Sequence, residues 1–349
     1  MGFISIGDTI VGQGHPVFII AEIGINHQGD REIAKKLIIE AKRCGADAVK
    51  FQKRCISRIL TREGLDMPYV NSNSFGKTYG EHKQALELSE EDYGELQECC
   101  RKNDIIFCAS GWDEESIDFL DSAGILFFKM ASADLTNLPL LEHTAAKGKP
   151  VILSTGMASL EDVKMAYNTV KKQNLQIAIL QCTSTYPSRF DEINLNVIHT
   201  FKREFPDAVI GFSGHEQGIA IPPVAVGLGA CIIERHFTLD RTMKGGDHAA
   251  SLEPQGFAKM VRDIRHTTEA MGCFEKEIQQ SEHPIFTKLT KSIVAASDIA
   301  QGTVITPQML TTKGPGTGIS PTKIALVTGK KALRDITADT VIKEQDIQW

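Results

Sequence analysis

Two lysines close apolar runs, Lys50 in AVKFQK (48–53) and Lys129 in LFFKMAS (126–132). A cation held beside a core is costly unless an anion meets it. Ser132, Ser154 and Ser213 close similar runs, so cations and hydroxyls come from several segments at once. That combination suits a carboxylate or a phosphate. His215 and His236 end two successive runs, VIGFSGH and CIIERHFT. A pair of imidazoles suits a divalent ion, with the remaining positions left to substrate and water, in a Lewis-acid site. Each of these residues also has a plain structural use: a helix cap for a serine, a hydrogen-bonding pair for the histidines. Asp247, just after Lys244, Gly245 and Gly246, adds an acid. Ser213 is no hydrolase nucleophile, because FSGH lacks the GxSxG elbow.

A further group of polar residues lies in the long connection 54–88, where Gly76–Lys83 reads GKTYGEHK. The GKT ending is not a nucleotide loop, because position 71 is Asn where the earlier Gly belongs and no strand precedes it. Lys77, His82 and Lys83 fit either a substrate loop supplying a second anion contact or a solvated charged loop.

These residues must be positioned by regular elements. Apolar runs recur at 17–24, 48–53, 105–110, 126–132, 151–156, 177–184, 209–215 and 231–238. Helical patterns fill most of the gaps, several opening on cap residues such as Asp30, Ser89 and Ser159. Eight such units in about 240 residues predict a (β/α)8 TIM barrel. An open doubly wound sheet is the competing architecture, but no GxGxxG follows the first run. Strand residues at i and i+2 share a face, which pairs Lys50 with Gln52, Gln181 with Thr183, Ser213 with His215 and Glu234 with His236. In a barrel the C-terminal strand ends form one rim, and Glu22, Ser110 and Ser154 join it.

The predicted barrel occupies 1–272, followed by an aperiodic linker at 273–287 and a small β-rich module at 288–349. The module repeats itself: DIAQGTVITPQML at 298–310 aligns with DITADTVIKEQDI at 335–347. So small a unit is marginal alone, which predicts docking on a barrel, its own or a partner's.

The net charge of −6 (38 basic, 44 acidic residues) offers no global field for nucleic acid. No run approaches the ~20 apolar residues of a membrane span. The start, MGFIS, lacks a secretion signal, and eight scattered cysteines without a CxxC read as thiols of a reducing cytoplasm.

Together the segments IAEIGINH (20–27), KFQ (50–52), LSTGM (153–157), QCTSTYP (181–187), GFSGH (211–215) and ERH (234–236) resemble the sialic acid (N-acetylneuraminate) synthase family over essentially the whole chain. The tail resembles that family's antifreeze-like (SAF) domain. The resemblance implies condensation of phosphoenolpyruvate with an open-chain amino sugar, a divalent metal (Mn²⁺ or Mg²⁺), and a homodimer in which the small domain of one subunit caps the other's barrel. By the same resemblance Lys50, Lys129, Ser132, Ser154 and Ser213 bind phosphoenolpyruvate, and His215 and His236 hold the metal. Glu22, Asp134, Tyr186 and Asp247 act on the reacting groups, and Gln52 contacts the sugar. Pro68, Tyr69 and the GKTYGEHK segment resemble the animal-type members, which take N-acetylmannosamine 6-phosphate. Lys53, Lys77, Tyr79, His82 and Lys83 are then candidates for the sugar phosphate. Gly314 stands where bacterial relatives place an Arg that reaches the acetamido group, so free N-acetylmannosamine and mannose 6-phosphate stay open as acceptors. A heptulosonate- or octulosonate-type synthase would share the barrel but lacks the SAF-like tail. A non-catalytic carbohydrate-binding protein would leave the rim of Lys, His and Glu without a use.

Overall fold

Each predicted apolar run contains a strand, most of them shorter than the run. In a computed structural model, which describes residues 2–349, a hairpin of β1 (Phe3–Ile6) and β2 (Thr9–Gly12) precedes the barrel strands. These are β3 (Phe18–Gly24), β4 (Ala48–Lys53), β5 (Ile106–Gly111), β6 (Phe128–Met130), β7 (Val151–Ser154), β8 (Ile177–Cys182), β9 (Val209–Gly214) and β10 (Ile232–His236). They form one sheet in the order β5-β4-β3-β10-β9-β8-β7-β6, parallel throughout. The end strands β5 and β6 lie beside each other, so the sheet bends round into a barrel.

Both faces of the strands are buried, as helix-covered parallel sheets require. Ile19, Val49, Phe107, Leu153, Ile179, Phe212 and Ile233 pack outward against the helices. Phe18, Ile20, Ala48, Cys108, Ile152, Leu180 and Ile232 fill the interior. The hairpin drives Ile4, Ile6 and Val11 into that same inner cluster and closes one end. Its turn relies on Gly7, whose φ of 57° suits glycine. The sequence signal for it was two short β-branched runs, FISI and TIVG, around the two-residue turn Gly7–Asp8.

The interior series fixes which polar ends face inward. Ala48 continues to Lys50 and Gln52, Ile20 to Glu22, and Ile232 to Glu234 and His236. On β8 the same parity sends Cys182 inward and Gln181 outward. Gln181 and Thr183 do share a face, but it is the helix side: they donate to the carbonyls of Ile193 and Glu192.

The helix caps at Asp30, Ser89 and Ser159 form, each side chain accepting from first-turn N–H groups. Between β9 and β10 the helix begins only at Ile221, where Pro222 and Pro223 suit a first turn. Connection 54–88 carries short helices at Ile56–Ile59, Arg62–Asp66 and Tyr79–Ala85. Among the described residues no helix is long and apolar enough to cross a membrane.

One compact unit ends at Gly272 and another runs from Cys273 to Trp349. In the second, helix His283–Leu289 occupies the end of the segment expected to be linker, and β11 (Ser292–Ala295) pairs antiparallel with β12 (Leu310–Lys313). Its core contains Ile299, Ile305 and Leu310 together with Ile336, Ile342 and Ile347, the matching positions of the repeat. Ile299 and Ile336 exchange two backbone hydrogen bonds of 2.8 Å, which joins the halves symmetrically.

Candidate active site

The C-terminal strand ends enclose a cavity of about 290 Å³. Its floor carries four buried charges in alternation. Lys50 Nζ lies 2.7 Å from Glu22 Oε2 and 3.9 Å from Glu234 Oε1. Lys129 Nζ lies 3.5 Å from the same Glu234 oxygen. Hydroxyls complete the set: Lys129 donates to Ser154 Oγ at 2.7 Å, Lys50 to Ser110 Oγ at 3.2 Å, and Ser213 Oγ to Glu234 Oε1 at 3.2 Å. Register explains the proximity, because Glu22 is paired with Lys50 on one side and His236 on the other, and Ser213 with Cys182 and Glu234.

These surroundings divide the two carboxylates. Burial, opposed by Lys50, pushes Glu22 up to about 7. Burial acts on Glu234 too, but Lys129 and Lys50 outweigh it and hold that carboxyl below its ordinary value. Lys50 keeps its proton, because Glu22 and Glu234 more than offset its burial. Glu234 Oε2 is buried without a hydrogen-bond partner. A buried acceptor left open beside two lysines is a place for a donor brought by substrate or water.

Above this floor, His215 and His236 stand with ring centroids 5.2 Å apart. His215 Nδ1 bonds the Thr183 carbonyl at 2.8 Å, which leaves its other nitrogen for the cavity. His236 Nδ1 is buried without a hydrogen-bond partner and lies 3.8 Å from Asp247 Oδ2. Burial, His215 and Lys50 push its pKa well down, so the ring is neutral and its lone pair available. These donors fit a divalent ion that takes its other ligands from substrate and water. Among the described residues no third His, Cys, Asp or Glu completes a protein-only cage. Tyr186 packs its ring 4.1 Å from that of His215.

Of the residues singled out from the sequence, Glu22, Lys50, Gln52, Lys83, Lys129, Ser132, Ser154, Tyr186, Ser213, His215, His236 and Asp247 line this cavity. Five others do not. Lys53 turns to Glu87, 3.4 Å away, over the Tyr93 and Phe119 rings. Lys77 is exposed on the connection. Tyr79 and Tyr69 stack on His82, whose Nδ1 accepts from the Phe75 N–H at 3.2 Å. His82 and Tyr79 therefore build the connection instead of reaching the cavity. Asp134 sits in the turn after β6, where burial raises its pKa to about 6, and contributes no cavity wall.

Several contributors acquire their roles only in the fold. Glu234 was visible as a rim residue, but its place between two lysines exists only in the packed barrel. Cys182 lines the cavity, and although burial opposes its ionisation, the His215 ring and Ser132 hydroxyl bring the thiol down to about 7. Arg54, only 2% exposed, bonds Glu87 at 3.0 Å and the Gln52 side-chain oxygen at 3.4 Å. That contact turns the Gln52 amide nitrogen toward Glu22 Oε1, 3.2 Å away.

Comparison with known proteins adds an independent line. The profile of the NeuB family matches residues 37–276, and that of the SAF domain residues 290–348. Human N-acetylneuraminate-9-phosphate synthase is 47% identical over 336 residues, covering 96% of this chain and 94% of that protein. The N,N'-diacetyllegionaminic acid synthase of Legionella pneumophila is 38% identical over 343 residues, covering 97% and 96%. Among solved structures, the N-acetylneuraminic acid (sialic acid) synthetase of Leptospira borgpetersenii superposes with a TM-score of 0.70 at 36% identity, over 81% of this chain and 94% of that one.

Proposed function

This chain belongs to the NeuB family, and on that premise we propose that it condenses phosphoenolpyruvate with N-acetylmannosamine 6-phosphate to give N-acetylneuraminate 9-phosphate and inorganic phosphate. The observation that carries the reading is the buried Lys50–Glu22 and Lys129–Glu234 array beneath a cavity ringed by hydroxyls. Two desolvated ammonium groups whose hydroxyl partners can re-aim are suited to the carboxylate and phosphate of one small polyanion.

In the reaction, the methylene carbon of phosphoenolpyruvate attacks the acceptor's aldehyde carbon. Positive charge develops at the pyruvyl carbon, water adds there, and the C–O bond to phosphate then breaks. Glu234, held ionised by its two lysines, lies where it can stabilise that positive stage, and its open Oε2 can accept a hydrogen bond from the incoming water. Lys50 and Lys129 neutralise the departing phosphate. Glu22, with a pKa near neutrality, can hold or release the proton that the new hydroxyl requires, and Gln52 orients its Oε1. A divalent ion (Mn²⁺ or Mg²⁺) held by His215 and His236 would supply Lewis-acid polarisation of the aldehyde.

Lys83 favours the phosphorylated acceptor. It lines the cavity, its Nζ lies over the Tyr79 and Trp112 rings, and burial and Arg54 pull its pKa down to about 8. Asp247 and Glu87 partly offset that pull, but among the described residues no carboxylate forms a salt bridge with it, so this cation can take an anion from the substrate. We expect Lys83→Met to raise KM for N-acetylmannosamine 6-phosphate about 10–100-fold, the cost of one charge-assisted contact. KM for phosphoenolpyruvate should stay within about twofold. Steady-state kinetics with N-acetylmannosamine, its 6-phosphate and mannose 6-phosphate provides the check, and a higher kcat/KM for the free sugar in the unaltered enzyme would reverse the acceptor assignment.

The reading extends to a cytoplasmic homodimer whose small domains cap the partner barrels. All eight cysteines are free thiols, as suits a reducing compartment. The second unit leaves Ile285, Leu289, Leu326 and Trp349 exposed, apolar surface that a partner would cover.

A further inference from the structure

A second buried charge pair lies just outside the cavity. Strand parity turns Arg235 away from the substrate side, toward the layer that holds Ile233, while its neighbours Glu234 and His236 face inward. Arg235 and Glu216 are both 0% exposed. The guanidinium donates from Nη1 to Glu216 Oε1, from Nη2 to the Glu216 carbonyl at 2.5 Å, and from Nη1 to the Gly218 carbonyl at 3.2 Å. It thereby grips both the side chain and the backbone of the loop that leaves β9.

The placement of the pair is informative. The register of β9 with β10 ends where Arg235 faces Gly214. The next residue on each chain is His215 and His236. Glu216 follows the first histidine and Arg235 precedes the second, so the ion pair ties the last ladder residue of β10 to the loop just beyond the end of β9. The carboxylate runs close against β9: a Cβ added at Gly214 would lie 2.5 Å from Glu216 Oε2. Stability alone gives little reason for such a pair, because well-packed apolar residues usually do as well or better. Its geometry gives another reason.

We propose that Glu216 and Arg235 form a positioning clamp that sets the spacing and orientation of His215 and His236 for a divalent cation. The inference rests on the metal reading given above. Neither residue lines the cavity, so both act through the histidines. Such supporting partners typically contribute about 10–100-fold to metal affinity.

The test titrates the purified full-length protein with Mn²⁺ alone, by calorimetry and by the electron spin resonance signal of free Mn²⁺. Glu216→Gln combined with Arg235→Met removes both charges and leaves neither buried alone. This double variant should keep a cooperative melt while binding Mn²⁺ about 10–100-fold more weakly, and excess Mn²⁺ should restore much of its turnover. Arg235→Lys keeps the charge but not the forked contacts, and should show a smaller loss of affinity. It serves as the test if the double variant does not fold. A folded double variant, or in its absence a folded Arg235→Lys, that binds Mn²⁺ as tightly as the unaltered protein would overturn the clamp. Failure of the unaltered protein to take up Mn²⁺ would instead overturn the metal reading beneath it.

Discussion

Lys129→Met should lower kcat/KM for phosphoenolpyruvate by about a thousandfold. Truncating one partner of a buried, hydrogen-bonded charge pair costs about 2–5 kcal/mol, and this lysine meets that description. It is 2% exposed, 2.7 Å from Ser154 Oγ and 3.5 Å from Glu234 Oε1. Its loss removes a cation from the anion site and also one of the two charges that keep Glu234 ionised. Binding and chemistry should therefore both suffer, with KM rising and kcat falling. Methionine preserves most of the stem's packing, so a thermal melt alongside the kinetics separates lost chemistry from lost fold. Turnover within a few-fold of the original would exclude Lys129 from the anion site.

Removal of the divalent ion should have an effect of similar size. Treatment with EDTA should lower the condensation rate by about a thousandfold, consistent with the several kcal/mol that Lewis-acid assistance contributes. Added Mn²⁺ should restore it. His236→Ala should stay inactive at Mn²⁺ levels that rescue the EDTA-treated enzyme. The buried Nδ1 of His236 has no hydrogen-bond partner, whereas His215 Nδ1 is engaged by the Thr183 carbonyl. The two imidazoles are thus presented differently, and His215→Ala should also loosen the loop that Thr183 anchors. Full activity in the presence of EDTA would contradict the metal assignment.

How far the sequence could lead is clear from particular residues. Strand parity is a local property, so Lys50, Glu22 and His236 could be placed on one rim from apolar spacing alone. The same rule failed at β8 by one residue, because the apolar run extended past the strand and the inward position belonged to Cys182, not Gln181. The 54–88 connection has no sustained period, and there the types of Lys77, Tyr79 and His82 suggested substrate contacts, whereas Tyr79 and His82 pack within the connection and Lys77 is exposed outside the cavity. Lys83, only one position from His82, reaches the cavity because the short helix Tyr79–Ala85 turns it there. Long-range packing was invisible throughout: Glu234 became a hub only when β4, β6 and β9 brought Lys50, Lys129 and Ser213 to it. The module's repeat was the opposite case, since matching letters at 299 and 336 became an antiparallel bridge within one core.

The central claim is a condensation in which an acceptor aldehyde triggers phosphate loss from phosphoenolpyruvate. The most direct measurement follows inorganic phosphate from phosphoenolpyruvate in the presence of Mn²⁺, with and without N-acetylmannosamine 6-phosphate. Release is expected only when the sugar phosphate is present, one phosphate per molecule of sugar acid formed. No release with N-acetylmannosamine 6-phosphate, N-acetylmannosamine or mannose 6-phosphate, or release at the same rate without an acceptor, would contradict it.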